Sequence, residues 1–97
     1  MSSSQGSVSL NTNGGQDVYR ASKSALNQLM RCHAARHVDD TRTLLLINPG
    51  WVRTELGGPN AELTVDQSIP GVADTIDAAS GRQGLHFLDR HGQVVPW

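Results

Sequence analysis

An α/β fold is predicted by the order in which patterns change along these 97 residues. A helical run over residues 17–37 is followed by an aliphatic stretch at 41–48. A second helical run then ends near Ala79, and a final extended stretch occupies 85–88. Helix alternating with strand is the rhythm of parallel sheets joined by right-handed crossovers. Two short strands do not make a sheet that stands alone, so the pattern reads as part of a larger fold.

Each element has a local reason. Residues 1–15 are rich in Ser, Gly and Asn and end in Asn13-Gly14-Gly15, a composition that predicts loop. In the first helical run Val18, Ala21, Ala25, Leu29 and Cys32 recur at three- and four-residue steps, with Leu26, Met30 and His33 beside them. No Gly or Pro interrupts it, and Asp17 stands in its first turn, where the macrodipole favours an anion. Leu44-Leu45-Leu46-Ile47, closed by Pro49-Gly50, predicts a strand buried on both faces and therefore parallel. Residues 51–63 include Gly57-Gly58-Pro59-Asn60 and predict an irregular loop. Thr64 and Gln67 fit a capping box, and Val65, Ile69, Val72 and Ile76 then form a stripe read as core or partner-helix contact. Pro70 within that stripe predicts a kink or a late helix start. Ser80-Gly81 ends the helix, His91-Gly92 is a turn, and 93–97 is a returning extended tail.

Composition excludes several functions. Lys plus Arg number 8 against 9 Asp plus Glu, a net charge of -1 that leaves no basic face for nucleic acid. No apolar run approaches the roughly 20 residues that cross a bilayer, so no membrane role is expected. A single cysteine, Cys32, excludes an internal disulfide, and the expected setting is cytoplasmic. His33 and His37 stand four apart on the helix, but no third ligand is spaced to complete a metal site, and none is expected.

One pairing points to chemistry. The chain has one tyrosine, Tyr19, and one lysine, Lys23, four apart on the predicted helix and so on one face. Phenols ordinarily titrate near pH 10, and a cation fixed beside one favours the phenolate, as proton transfer near neutrality requires. On spacing alone, a surface Tyr and Lys sharing a helix face by accident is an equal reading.

Tyr19-Arg20-Ala21-Ser22-Lys23 resembles the Tyr-x-x-x-Lys active-site segment of the short-chain dehydrogenase/reductase family. Ser2-Ser3-Ser4-Gln5-Gly6-Ser7 is similar to that family's Ser-Ser-x-x-Gly-Ser segment at the end of its fifth strand. Asn48-Pro49-Gly50-Trp51-Val52-Arg53-Thr54 resembles its Pro-Gly-x-Val-x-Thr loop after the sixth strand. The closing residues 89–97 resemble the C-terminus of the C-factor and sniffer-like carbonyl reductase branch. The resemblance implies the C-terminal part of a Rossmann-type doubly wound sheet: end of strand five, helix, strand six, helix, strand seven. It implies a single domain portion over 1–97, with Met1 at what is an internal apolar position in the family.

The resemblance also implies roles. Tyr19 would be the acid/base, Lys23 would tune it and bind the nicotinamide ribose, and Ser3 would position the substrate oxygen. Pro49, Gly50 and Val52, with the Thr54 hydroxyl, would receive the nicotinamide of NADP or NAD; which of the two is not readable. Ser3 precedes Tyr19 by sixteen residues, about three more than in many members, so Ser4 or Ser7 stays open as the functional hydroxyl. No Gly-x-Gly-x-x-Gly or Thr-Gly-x-x-x-Gly-x-Gly segment occurs, nor the family's Asn-Asn-Ala-Gly, so tight cofactor binding by these residues alone is not expected. The expected substrate is a small carbonyl compound or alcohol, its pocket shaped by Ser3, Tyr19, Trp51 and residues 56–63. The expected partner is a second copy, met through the helix from Asp17 to His37. The rival reading is a non-catalytic remnant or interaction module that uses that helix for association alone.

Overall fold

The computed structural model describes all 97 residues. A short 3-10 turn at Ser4–Gly6 is followed by α1 (Asp17–Arg36), β1 (Thr43–Asn48), α2 (Val65–Ala79) and β2 (Gly84–Asp89). The strands pair in parallel, from Thr43 opposite Gly84 to Asn48 opposite Asp89. No helix is long and apolar enough to cross a membrane.

The 3-10 turn lies where simple loop is expected. Ser3 caps it, its hydroxyl oxygen accepting from Gln5 N at 3.1 Å, and Ser7 N closes it onto the Ser4 carbonyl at 3.0 Å. Serine side chains offer the backbone this alternative to longer elements.

α1 begins after three successive residues at positive φ: Gly14, Gly15 and Gln16, the last at 55°. Arg20 ties that loop back to the helix, donating from Nε to the Gly15 carbonyl at 2.9 Å and from Nη2 to Asn13 Oδ1 at 3.1 Å. The apolar stripe that marks the helix in sequence faces solvent: Val18 is 85 % exposed and Leu29 66 %, with Ala21 and Ala25 also exposed. The packed face is offset from it, with Asn27 buried and Leu26 and Met30 half-buried.

The core is small. Leu46, Phe87 and Val95 are buried together, and Leu26, Met30, Leu85 and Trp97 pack against them. Phe87 and Trp97 rings lie 5.4 Å apart, and the Arg31 guanidinium sits 4.3 Å from the Trp97 ring centre. The tail returns as expected: Asp89 Oδ1 accepts from His91 N and Gln93 N at 2.8 and 2.9 Å, and Val95 N reaches the Phe87 carbonyl at 2.9 Å.

α2 opens on the expected capping box, with Gln67 N on Thr64 Oγ1 at 3.2 Å and Thr64 N on Gln67 Oε1 at 2.8 Å. It starts at Val65 and runs through Pro70, so the helix does not start late. Pro70 removes one donor, and the carbonyl that would have received it belongs to exposed Asp66, within reach of water. The expected core stripe is also shifted here. Val72 is buried, but Val65, Ile69 and Ile76 are each almost half exposed, and the buried positions are Ser68, Val72, Thr75 and Ala79. The two hydroxyls tolerate burial because each has a carbonyl: Ser68 donates to Pro49 at 2.7 Å and Thr75 to Asp89 at 3.5 Å.

Candidate active site

The chain's opening segment is docked on α1 by small residues and amides. Ser2 N donates to the Ile47 carbonyl at 2.8 Å, bringing the segment alongside the end of β1. Buried Asn27 then takes the Ser2 hydroxyl at 2.6 Å and donates to the Gly6 carbonyl at 3.3 Å, where Ser24 Oγ also donates at 2.9 Å. Gly6 is pressed against the helix. A Cβ there would lie 2.9 Å from the Lys23 backbone carbon and from Lys23 Cβ. This contact sets the height of Ser3 against the first turns of α1.

On the far side, β1 ends in Asn48 and the chain turns at Pro49-Gly50. Gly50 has φ of 83°, a left-handed conformation that favours glycine, and a Cβ there would meet the tip of the Leu63 side chain at 2.7 Å. Ser68, fully buried on α2, holds the Pro49 carbonyl from behind. Val52 bridges to Leu63, and Arg53 Nε donates to the Ala61 carbonyl at 2.8 Å. Thr54 Oγ1 accepts from Gly57 N at 3.0 Å and lies 3.4 Å from the Val52 carbonyl, pinning the loop that follows.

Between these walls lies an open cleft of about 1170 Å³. Ser3, Tyr19, Lys23, Pro49, Gly50, Val52 and Thr54 all line it, so the structure brings every site residue expected from sequence to one place. Ser4 lines it as well. Ser7 does not: it is buried, accepting from Leu10 N at 3.2 Å. Tyr19 and Lys23 are half-buried, with the Lys23 Nζ 5.8 Å from the Tyr19 ring centre. Asp17 and Lys23 are the cleft's charged side chains.

Several lining residues have no signature in sequence. Gln5, Gln16 and Val18 belong to loops or helix starts whose direction pattern alone does not give, whereas Leu56 and Gly57 come from the 56–63 stretch expected to shape the pocket. Val65 and Ile69, read from sequence as core or partner-helix contact, are almost half exposed rather than core, and they line the cleft. Ser68 looks like an ordinary helix serine until its bond to Pro49 is seen. Away from the cleft, His33 and His37 stack with ring centres 4.2 Å apart, and His37 Nδ1 lies 2.8 Å from the His33 carbonyl. No group of three or more His, Cys, Asp or Glu side chains is placed to hold a metal ion.

No protein-family model matches the chain. Among characterised proteins it is 37 % identical, over all of its length, to C-signal of Myxococcus xanthus, of which it covers 58 %. It is also 31 % identical to 1-hydroxy-2-glutathionyl-2-methyl-3-butene dehydrogenase of a Rhodococcus species, covering 42 % of that protein. Among solved structures, a short-chain dehydrogenase/reductase of Burkholderia multivorans with bound NADP superposes with a TM-score of 0.96 at 55 % identity. The carbonyl reductase Sniffer of D. melanogaster superposes at 0.89 with 35 % identity. The whole chain is covered in both, against 42 % and 39 % of the respective structures. The chain thus spans about two fifths to three fifths of the relatives it matches. Its two parallel strands and helices are a segment of their Rossmann-type fold, and by sequence and structure it belongs to the short-chain dehydrogenase/reductase family.

Proposed function

We propose that the chain supplies the proton-transfer part of a nicotinamide-dependent carbonyl reductase, acting in reverse as an alcohol dehydrogenase. The supporting observation is the convergence of Ser3, Tyr19, Lys23 and the stretch from Pro49 to Thr54 on one cleft from separate parts of the chain. On this reading residues 1–97 are one portion of a dinucleotide-binding domain in a cytoplasmic enzyme. The cofactor proposed is NADP, the dinucleotide bound in the Burkholderia multivorans relative, with NAD the alternative of the same chemistry.

The residues fit one end of such a dinucleotide. The backbone from Pro49 to Val52 runs along the cleft wall, turned by Gly50, and the Thr54 hydroxyl stands beside it. The pyrophosphate end needs a glycine-rich turn opening a helix, and that motif does not occur in these 97 residues. When bound, the nicotinamide supplies the hydride that reduces the carbonyl carbon.

The chain's own residues handle the oxygen. Tyr19 donates its phenolic proton to the substrate oxygen as charge develops there, and takes it back in alcohol oxidation. Lys23, one turn further along, places a cation near the phenolate that donation leaves. The Ser3 oxygen already accepts from Gln5 N and keeps its own O–H to donate to the same substrate oxygen.

The exposed apolar face of α1, with Val18, Ala21, Ala25 and Leu29, favours a further proposal: copies of the chain associate through this helix. The rival, association without catalysis, rests on that same face. A chimera separates the two. These 97 residues replace the matching stretch of the Burkholderia multivorans protein, and ketone-dependent oxidation of NADPH is followed. Turnover is the expected result. A folded chimera that binds NADPH yet oxidises none of it assigns the chain to association alone.

A further inference from the structure

Ser68 bonds outside its own helix. A helix serine commonly donates to a carbonyl one turn back in the same helix. Ser68 instead donates across to the Pro49 carbonyl at 2.7 Å, from a fully buried position. The other end of that peptide is held too, since Gly50 N donates to Asn48 Oδ1 at 3.3 Å. The Pro49–Gly50 peptide plane is therefore fixed at its carbonyl by α2 and at its N–H by the last residue of β1.

This peptide is one that needs holding. A turn with proline second and glycine third can close with its central peptide in either of two orientations, related by a half-turn of the plane. Glycine permits both, because it takes positive and negative φ alike. Gly50 stands at 83°, so one orientation is chosen. In the other, the Pro49 carbonyl would turn away from α2. The buried Ser68 hydroxyl would then lose its acceptor, the costly state for a polar group.

α2 is a firm base for this contact. Its N-cap, Thr64, follows Leu63, whose N–H donates to the Trp51 carbonyl at 3.1 Å and whose carbonyl accepts from Arg53 N at 2.8 Å. The capping box then fixes the first turn. One helix start thus grips the backbone after the turn through Leu63, and the turn itself through Ser68.

Resting on the oxidoreductase reading above, we propose that Ser68 is a positioning residue for the nicotinamide end of the dinucleotide. It selects the orientation of the Pro49–Gly50 peptide and so the path of the backbone to Val52. Ser68 does not line the cleft and acts through this turn alone. Its hydroxyl, rather than its bulk, carries the effect. Removing that hydroxyl loosens the turn before any nucleotide is present and then weakens nucleotide binding.

The test is Ser68→Ala, which removes the hydroxyl and leaves a good helix former. Thr75→Val is the control: it removes the other buried α2 hydroxyl, bonded to the Asp89 carbonyl away from the cleft, at nearly constant shape. Hydrogen exchange over residues 50–53 is followed in the 97-residue chain without nucleotide, and the NADPH dissociation constant in the Burkholderia multivorans chimera. Ser68→Ala is expected to speed exchange and to weaken NADPH binding, each about fivefold, the worth of one neutral hydrogen bond. Thr75→Val is expected to change neither. Should Ser68→Ala fail to fold, Ser68→Cys keeps the shape with a weak donor and gives the same comparison. A purely structural role lowers the melting midpoint of both variants but leaves the NADPH constant of the folded chimera where it was; that result overturns the proposal. So does exchange over 50–53 that ignores Ser68→Ala. A chimera that binds no NADPH with Ser68 in place overturns the oxidoreductase reading and this proposal with it, whereas tight binding indifferent to Ser68 overturns this proposal alone.

Discussion

Lys23 Nζ lies 5.8 Å from the centre of the Tyr19 ring, one turn further along α1, and both residues border the same cleft. The i, i+4 spacing explains the shared face. What spacing does not explain is why that face meets Ser3. The reason is Gly6, whose missing side chain lets the 3-10 turn that Ser3 caps sit directly on the backbone of Lys23. A helix pattern and a loop glycine together build the site.

Gly6→Ala is expected to separate these two parts. The new methyl would lie 2.9 Å from Lys23 backbone and 3.0 Å from Asn27 Nδ2, so the turn must lift from the helix. Overpacking of this kind costs about 1–3 kcal/mol. A thermal melt of the 97-residue chain checks it: a clearly lowered midpoint is expected, and an unchanged one means the turn does not rest on α1.

The Asp40–Arg42 pair gives a pH signature. Arg42 lies 2.7 Å from Asp40 through Nη2 and also bonds it through Nε and its backbone N–H. Hydrogen bonding from the Arg42 side chain, helped by its backbone N–H, holds the Asp40 carboxyl well below the usual range. A carboxylate whose native pKa lies below the unfolded value of about 3.9 stabilises the fold fully above that pH. The contribution is lost as acid approaches the lowered native value. A carboxyl NMR titration should therefore show Asp40 still ionised well below the unperturbed aspartate value of about 3.9, and Arg42→Ala should return it to the ordinary range. An ordinary titration in the unchanged chain contradicts the pairing.

The free side of β1 predicts self-association. One edge pairs with β2, whereas the other receives a single backbone bond, from Ser2 to Ile47. Unpaired strand edges recruit other chains. Sedimentation of the 97-residue chain is expected to show oligomers or aggregates. A monodisperse monomer that melts cooperatively contradicts this.

The missing phosphate-binding turn predicts weak nucleotide affinity. Titrating NADPH fluorescence with the 97-residue chain should give no saturation in the micromolar range. Micromolar binding means the nicotinamide end suffices alone.

Much of this was legible in the residues. The helix from Asp17, the parallel strand closed by Pro49-Gly50 and the Thr64–Gln67 box each follow from local rules and occur where expected. The faces were harder to read. Val18 and Leu29 lie exposed while Asn27 is buried, and Ser68 and Thr75 are buried where Ile69 and Ile76 are not. Hydropathy periodicity assumes that apolar groups go inside, but a hydroxyl or amide that finds a carbonyl can be buried as well. Those carbonyls belong to Gly6, Pro49 and Asp89, far away in sequence. No window along the chain contains both partners. The cleft's lining by Val65 and Ile69 was hidden for the same reason, being set by how α2 docks behind Pro49.

The proposed role of Tyr19 as proton donor is the central claim, and Tyr19→Phe in the chimera tests it most directly by comparing turnover with NADPH affinity. The phenol-to-phenyl change leaves the ring in place, so the nucleotide dissociation constant should hold. Ketone reduction should fall by at least about a hundredfold, the low end of what a positioned acid contributes. Turnover that survives with NADPH binding unchanged would remove Tyr19 from the reaction.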